Sequence, residues 1–252
     1  MTRRDPFAPV DHEQSYRGFS PRAFVHRRRL RGIVSAIRSL PLGDTGRLGD
    51  FGCSNGFILA ELRARGVPPP GWEFSGFDHA TPYVEAARRR GIPGASFAEF
   101  DLDVKDAELP DPFDLVLCLE TLEHTGNYRV GLRNLARATR PGGHLIISVP
   151  NELGAHGLVK FFGRKLVRRD VYEGFFRGGP EGPYVRALMT GADLEAFRDP
   201  PRHGWGEHLG FDLRRFEESL RAELLRDDAF VLVRRIKTAA GFGRSYLFRR
   251  RA

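Results

Sequence analysis

Acidic and small residues in this sequence recur directly after short apolar runs, which is where ligand sites form in layered α/β folds. The first group is the turn Asp50-Phe51-Gly52-Cys53-Ser54-Asn55-Gly56, whose small residues let the backbone approach a ligand closely. Asp78 ends the next apolar run, 22 residues after Gly56. A carboxylate at that position of a doubly wound sheet can accept hydrogen bonds from both hydroxyls of a ribose. Together the two groups indicate a nucleotide-like ligand.

Each of these groups also fits a purely structural role that involves no ligand. Glycine turns of this kind occur in nucleotide-binding, dinucleotide-binding and ligand-free proteins. Asp78 precedes Thr81-Pro82 and is therefore also a candidate N-cap of the next helix. A third group, Glu99-Phe100-Asp101-Leu102-Asp103, could offer one acid to an adenine amino group and pack Leu102 on the ring, but it also fits an ordinary acidic loop. The surrounding pattern has to decide between these explanations.

That pattern is an alternation of short apolar runs and amphipathic stretches from about residue 47, which indicates a parallel sheet with crossover helices. Strands are predicted over 47–51, 72–77, 96–100, 113–119, 145–149, 230–236 and 245–248. Helices are predicted over 57–65, 82–90, 128–139 and about 212–225, the first three ending at Gly66, Gly91 and Pro141-Gly142-Gly143. The predicted fold class is α/β, a Rossmann-like, doubly wound sheet of seven strands, mostly parallel with an antiparallel last strand.

Two segments lie outside this alternation. Residues 12–38 are predicted to form one or two N-terminal helices, and residues 152–205 an insertion that serves as a lid. Within the insertion, residues 157–176 mix aromatic and basic side chains. They fit a flap over an anionic or lipid-linked acceptor, a basic segment on a bilayer, a surface for single-stranded RNA, or a lid packed by its own aromatic rings.

The charge distribution is uneven. The chain has 40 Lys and Arg against 32 Asp and Glu, a net charge of +8, yet residues 39–159 hold 11 basic and 16 acidic residues. The basic excess therefore lies in residues 1–38, 160–177 and 234–251. A solvated, arginine-rich surface explains it, as does an anionic substrate or a membrane surface.

Several classes of protein are excluded. No apolar run approaches the roughly 20 residues of a membrane-spanning helix, so we do not expect an integral membrane protein. The charged N-terminal residues precede no apolar run, so no secretory signal is expected. Two cysteines, Cys53 and Cys118, can form neither a disulfide scaffold nor a four-ligand zinc site. We expect a cytoplasmic, reduced protein.

A fourth group completes the series: Phe113-Asp-Leu-Val-Leu-Cys-Leu-Glu-Thr-Leu-Glu-His124, then a helix, then Arg140-Pro-Gly-Gly-His-Leu-Ile-Ile-Ser-Val-Pro-Asn151. In this order and spacing, the four groups resemble the class I S-adenosylmethionine-dependent methyltransferases, particularly the branch of the ubiquinone-type O-methyltransferases. The resemblance covers about residues 45–151. A nicotinamide-dependent enzyme would place a third glycine inside the helix start and would not carry Glu-Thr-Leu-Glu-His.

The resemblance implies that S-adenosylmethionine lies across the strand ends and leaves as S-adenosylhomocysteine. The implied cofactor-binding residues are Asp50, Gly52, Cys53, Ser54, Gly56, Asp78, His79, Asp101, Leu102, Leu119 and Glu120. Ser54 departs from the family, which usually has glycine there. The implied organisation is one methyltransferase domain with a helical arm (1–45), a cofactor-binding core (46–151), a substrate lid (152–205) and a C-terminal helix with the last strands (206–252).

Methyl transfer to a hydroxyl requires removal of a proton, for which histidine is suited by its reference pKa of about 6.5. The candidate catalytic residues are His124 and His208. Alternatively, Glu120, Glu123, His124 and His208 bind a divalent metal, a pattern that resembles small-RNA 2′-O-methyltransferases. The sequence predicts O-methylation of a small natural-product, sugar or lipid-linked intermediate. The alternatives are a small-molecule N-methyltransferase, an RNA 2′-O-methyltransferase and a cofactor-binding protein without catalysis. We do not expect a nucleic-acid partner, and peripheral membrane contact and oligomeric state stay open.

Overall fold

The computed structural model describes residues 13, 16, 18–19, 21–167, 181–198, 209–238 and 241–252. Within these residues the strands are β1 (Thr45–Phe51), β2 (Gly71–Asp78), β3 (Ala95–Glu99), β4 (Phe113–Leu119), β5 (Thr139–Pro150), β6 (Phe230–Thr238) and β7 (Gly243–Arg250). The α-helices are α1 (Pro21–Arg38), α2 (Phe57–Ala64), α3 (Thr81–Arg89), α4 (Tyr128–Ala138), α5 (Gly154–Val167), α6 (Gly182–Thr190) and α7 (Leu213–Leu220).

The seven strands form one sheet in the order β3-β2-β1-β4-β5-β7-β6. The pairs β3–β2, β2–β1, β1–β4 and β4–β5 are parallel, whereas β7 is antiparallel to both β5 and β6. The predicted fold, including the antiparallel last strand, is confirmed. Because chain order reverses between β1 and β4, their carboxyl ends border the crevice in which ligands of such sheets bind.

Apolar side chains cover both faces of the sheet. One face packs against α4 and α7, represented by Leu135 and Phe216. The other face packs against α1, α2 and α3, represented by Ile33, Leu59 and Val84. All five side chains are buried, so the crossover helices and the N-terminal helix hold the strand ends at fixed positions.

From residue 47 onward, two of the predicted strand and helix boundaries differ from the structure by more than two residues. The segment Pro141-Gly142-Gly143 was expected to end a helix ahead of a strand, but it lies inside β5, whose register against β4 shifts between Phe113 and Leu115. Proline lacks the N–H that a ladder needs, and Gly142 has a φ of 77°, so the irregularity is absorbed within the strand. The predicted helix over 212–225 is α-helical only to Leu220, and residues Arg221–Leu225 form a π-helical turn.

The described part of the insertion has an apolar core of its own. Phe161 of α5 packs with Tyr184 and Leu188 of α6, and Leu194 and Leu209 complete the cluster. Asp212 connects this cluster to the main domain because its carboxylate accepts the Leu194 amide at 3.2 Å. Residues 154–167 and 181–198 are therefore packed structure and not an extended loop.

Candidate functional site

The turn between β1 and α2 is held against the end of β2. The amides of Gly52 and Cys53 both donate to the carbonyl oxygen of Phe77, at 2.7 and 2.9 Å. Gly52 has a φ of 84°, and a Cβ placed there would lie 2.2 Å from Oγ1 of Thr121. Only glycine fits this position without displacing the loop after β4.

Asp78 fixes the same turn from the end of β2. Its carboxylate is buried and accepts the backbone amides of Ser54 at 2.9 Å and Ala80 at 3.1 Å. The side chain is not the N-cap of α3, since that position belongs to Ala80. Nδ1 of His79 lies 3.4 Å from the carboxylate. Each carboxylate oxygen has a second lone pair, so Asp78 can accept further hydrogen bonds from a ligand.

The site is acidic and largely dehydrated. Burial, and secondly the neighbouring Asp78, raise the pKa of Asp50 to about 7. Burial also raises the pKa of Asp78, although its backbone hydrogen bonds act in the opposite direction. Burial raises the pKa of the Cys53 thiol, so this cysteine is a neutral packing residue. A cation brought to these carboxylates would favour their ionised forms.

Ser54 has two unusual properties. Its φ is 50°, in the left-handed region that residues with a Cβ seldom adopt. Its hydroxyl oxygen is buried and has no hydrogen-bond partner in the described part of the chain. A buried hydroxyl without a partner costs free energy, so this atom is a natural contact for a bound ligand.

Glu120 follows β4 and is also in the left-handed region, with a φ of 55°. Its carboxylate accepts the Ser148 hydroxyl at 3.1 Å and lies 2.6 Å from a guanidinium nitrogen of Arg29 on α1. Burial alone would lower the pKa of Arg29, but Glu120 and Tyr16 raise it above the ordinary range, so the guanidinium is always charged. Backbone strain concentrates at functional positions, and here the strained residue carries a half-buried ion pair at the end of β4.

The N-terminal arm packs beside the glycine turn and reaches it through residues at the start of α2 and the end of α3. The ring of Tyr16 packs on Phe57, the first residue of α2, with centroids 4.7 Å apart. Arg90 donates to the carbonyl of Asn55 at 2.6 Å and pairs with Glu13 at 3.1 Å. The arm was predicted as a helix, but its contribution to the site through Arg29 and Tyr16 was not predicted.

The predicted base His124 ends a short 3-10 helix, Leu122–His124, directly after the strained Glu120. Its amide donates to the carbonyl of Thr121 at 2.9 Å. Glu123 beside it is buried, and burial followed by the charge of Glu120 raises its pKa well above the usual range. The second predicted base, His208, lies outside the described residues. The structure therefore places His124 in the segment that follows β4, whereas the position of His208 is not described.

The residues expected near an adenine ring, and Leu119, differ in exposure and in the part of the core that they contact. Asp101 is exposed, and its carboxylate accepts the amide of Asp103 at 2.8 Å within its own turn. Leu102 is buried in the core between the sheet and α4. Asp103 was not predicted to be a site residue, yet it accepts the amides of Gly126 at 2.6 Å and Asn127 at 2.8 Å. Leu119 packs against the opposite core, with α1.

The metal alternative receives no geometric support from the described residues. Among them, no three His, Cys, Asp or Glu side chains are grouped so that they could hold an ion. Glu120 is instead paired with Arg29, and His208 belongs to the segment that is not described.

Comparison with known proteins gives a consistent result. A family model described as a methyltransferase domain matches residues 24–175, which is more than half of the chain. The ubiquinone biosynthesis O-methyltransferase of Proteus mirabilis (strain HI4320) is 35% identical over 106 residues, which are 40% of this chain and 41% of the relative. The chain thus matches only about half, or less, of the length of such curated relatives.

Solved structures share the whole fold at low identity. The magnesium protoporphyrin IX methyltransferase from Synechocystis PCC 6803, determined with bound SAH, superposes with a TM-score of 0.56 at 19% identity, covering 94% of this chain and 92% of that one. The N-methyltransferase NodS from Bradyrhizobium japonicum WM9 gives 0.53 at 15% identity, covering 90% and 97%. In the described residues, no helix is both long and apolar enough to cross a membrane.

Proposed function

Because the chain belongs to the class I S-adenosylmethionine-dependent methyltransferases, we propose that it transfers the methyl group of this cofactor to an oxygen atom of a small molecule. The observation that carries the proposal is the turn at the end of β1. There a buried carboxylate, Asp78, accepts the amide of Ser54, whose buried hydroxyl has no hydrogen-bond partner among the described residues, and both residues lie at the strand ends where chain order reverses.

The residues present fit the cofactor by their chemistry. Asp78 retains acceptor capacity for ribose hydroxyls, and the Ser54 hydroxyl can donate to a carboxylate or accept from an ammonium group. Asp50 and Glu120 supply negative charge for a ligand with a sulfonium and an ammonium group. Arg29 offers a fixed positive charge for the cofactor's carboxylate. Serine in place of glycine is thus compatible with binding.

When bound, S-adenosylmethionine supplies an electrophilic methyl group for in-line displacement. The protein's task is to align the acceptor oxygen, exclude water and receive the acceptor's proton. Alignment alone can contribute about 7–11 kcal/mol in favourable cases. We assign proton removal to His124, which ends the 3-10 helix four residues after Glu120 and follows the buried Glu123.

The acceptor we propose is a small molecule with an apolar portion. Helix α5 exposes Val159, Phe162 and Leu166, which fall on one face at spacings of three and four residues. The basic residues of the same helix are engaged elsewhere: Lys160 and Arg164 both pair with the buried Glu152 at 3.1 Å. This apolar stripe suits a lipid-linked acceptor or contact with a bilayer surface.

We also propose a class of acceptor atom and a cellular compartment. The relatives act in ubiquinone biosynthesis, so phenolic oxygens are the first acceptors to test. Cys53 and Cys118 are both free and buried, which supports a reducing compartment such as the cytoplasm. Probes for a first screen are catechol and a catechol that carries a prenyl chain, since the pair separates recognition of the ring from recognition of the tail.

Calorimetric titration tests the cofactor assignment. We expect the protein to bind S-adenosylmethionine and S-adenosylhomocysteine, and Asp78→Ala to weaken both by about 30-fold, because hydrogen bonds to a carboxylate contribute about 2 kcal/mol. Asp114→Ala is the matched control. Asp114 also accepts a backbone amide, that of Arg47 at 2.8 Å, but it does so from the start of β4 at the opposite end of the sheet. Equal losses in both variants, or no binding by the unmodified protein, would contradict the assignment.

A further inference from the structure

The guanidinium of Arg198 joins the insertion to the turn that carries His124. One of its nitrogens donates to the carbonyl of Glu123 at 3.2 Å and to the carbonyl of Thr125 at 2.7 Å. These are the two residues that flank His124 in the chain. The position of the predicted base is therefore set by a residue that lies 74 positions later, in the insertion.

Arg198 is itself held tightly. Its side chain is 10% exposed and forms an ion pair with Glu195 at 3.8 Å. The guanidinium carbon lies 5.0 Å from the centroid of the Tyr128 ring and 5.8 Å from that of Phe211. Removing the hydrogen-bond acceptors of a largely dehydrated cation costs free energy. The carbonyls, the rings and Glu195 therefore hold the guanidinium in one place.

Two neighbouring contacts join the same parts of the chain. The Tyr128 hydroxyl donates to Glu195 at 3.3 Å, which binds the start of α4 to the insertion a second time. A Cβ at Gly210 would lie 2.5 Å from the backbone nitrogen of Arg198, so the returning chain packs closely against this residue. A cavity of about 310 Å³ opens at the cluster and is lined by Gly126, Asn127, Tyr128, Arg129, Glu195 and Arg198.

We propose that Arg198 is a positioning residue for methyl transfer: it fixes the turn Leu122–Thr125 and makes the placement of His124 depend on the docking of residues 181–198. The inference rests on the proposed function, because it is the transfer step that requires His124 at a fixed place. It concerns neither cofactor binding nor proton transfer by Arg198 itself.

The first measurement is amide hydrogen exchange of the full chain with S-adenosylhomocysteine present. In Arg198→Ala we expect the amides of His124 and Thr125, which donate to Thr121 and Leu122, to exchange at least tenfold faster, with those of β1 unchanged. Arg198→Lys should restore part of the protection, because an ammonium can still donate to one carbonyl but lacks the planar fork. Arg215→Ala is the matched control. Arg215 of α7 pairs with Asp193, which lies in the same segment as Arg198, and its replacement should leave the turn unchanged.

The second measurement separates positioning from general stabilisation. With the better catechol probe, we expect Arg198→Ala to lower kcat about tenfold and to change KM for S-adenosylmethionine less than twofold, with partial recovery in Arg198→Lys. Unchanged exchange and unchanged kcat would overturn the proposal. If Arg198→Ala fails to fold, Glu195→Gln weakens the support of Arg198 without touching the turn, and unchanged exchange there would equally overturn it. Absence of turnover in the unmodified protein would contradict the proposed function, while the exchange measurement would still decide the coupling.

Discussion

His124→Ala is expected to lower the turnover number by about 100-fold or more while leaving affinity for S-adenosylmethionine within twofold. The reason is that general-base assistance typically contributes a factor of 10² to 10⁴, and alanine can neither accept a proton nor pass it to water. His124 follows the strained Glu120 by four residues and ends the 3-10 helix, so it is not part of the glycine turn that the cofactor is expected to contact. Measurement of kcat with the catechol probes, together with calorimetric affinity, tests this.

The matched control is His156→Ala. His156 lies in α5 and packs against the ring of Phe242, with centroids 5.1 Å apart, at the connection between β6 and β7. We expect its removal to leave turnover within twofold. If His124→Ala retained full turnover, His124 would not be the base, and His208, the other predicted base, would be the next residue to replace.

The parts of this fold that sequence reasoning recovered are governed by local pattern. Apolar residues predict strands and helices because the side chains that an element buries against its neighbours recur along the sequence with the period of that element. The glycine turn and Asp78 were predicted because both lie at the carboxyl ends of strands, β1 and β2, that the apolar pattern predicts. The irregular start of β5 was not recovered, since Pro141 and Gly142 are stop signals in most contexts and a bulge tolerates them here.

The missed site residues depend on long-range packing. Arg29 stands in an arginine-rich run whose members are alike in sequence, and only its place four residues before the buried Ile33 puts it on the inner face of α1. Arg198 has no local pattern at all. Its acceptors in the turn that contains His124 are two main-chain carbonyls, which any residue possesses, so no sequence signal indicates this contact. Such residues become visible only when distant segments are brought together.

Ionisation of Asp50 should make the ligand-free protein less stable as pH rises. Burial, and secondly Asp78, raise its folded-state pKa to about 7, whereas an unfolded chain has the ordinary value of 3.8. Between these values the folded state holds a proton that the unfolded state has released. The stability that protonated Asp50 contributes is therefore fully present below pH 3.8, and it is lost as the pH rises through 7. From pH 5 to pH 8 the expected loss from this residue is about 2–3 kcal/mol.

Urea unfolding at several pH values measures this loss. Asp50→Asn should flatten the decline, because an amide does not titrate, while Asp114→Asn at the other end of the sheet should leave the decline in place. His144 acts in the opposite direction, since burial and the nearby Arg249 lower its pKa. The comparison must therefore be made between variants and not between pH values alone. An equal decline in Asp50→Asn and the unmodified protein would remove Asp50 as its source.

If the cofactor's sulfonium lies near Asp50, as we propose, the same ionisation should couple to cofactor binding. A sulfonium near Asp50 and Asp78 stabilises their charged forms, so binding of S-adenosylmethionine at pH 6.5 should release protons and tighten as pH rises toward 8. S-adenosylhomocysteine, a neutral sulfide with otherwise the same groups, should release fewer protons. Calorimetry in two buffers of different ionisation enthalpy measures the difference. Equal proton release by the two compounds would place the sulfonium away from these acids. The buried carboxylates would then have a structural role and would not contact the methyl donor.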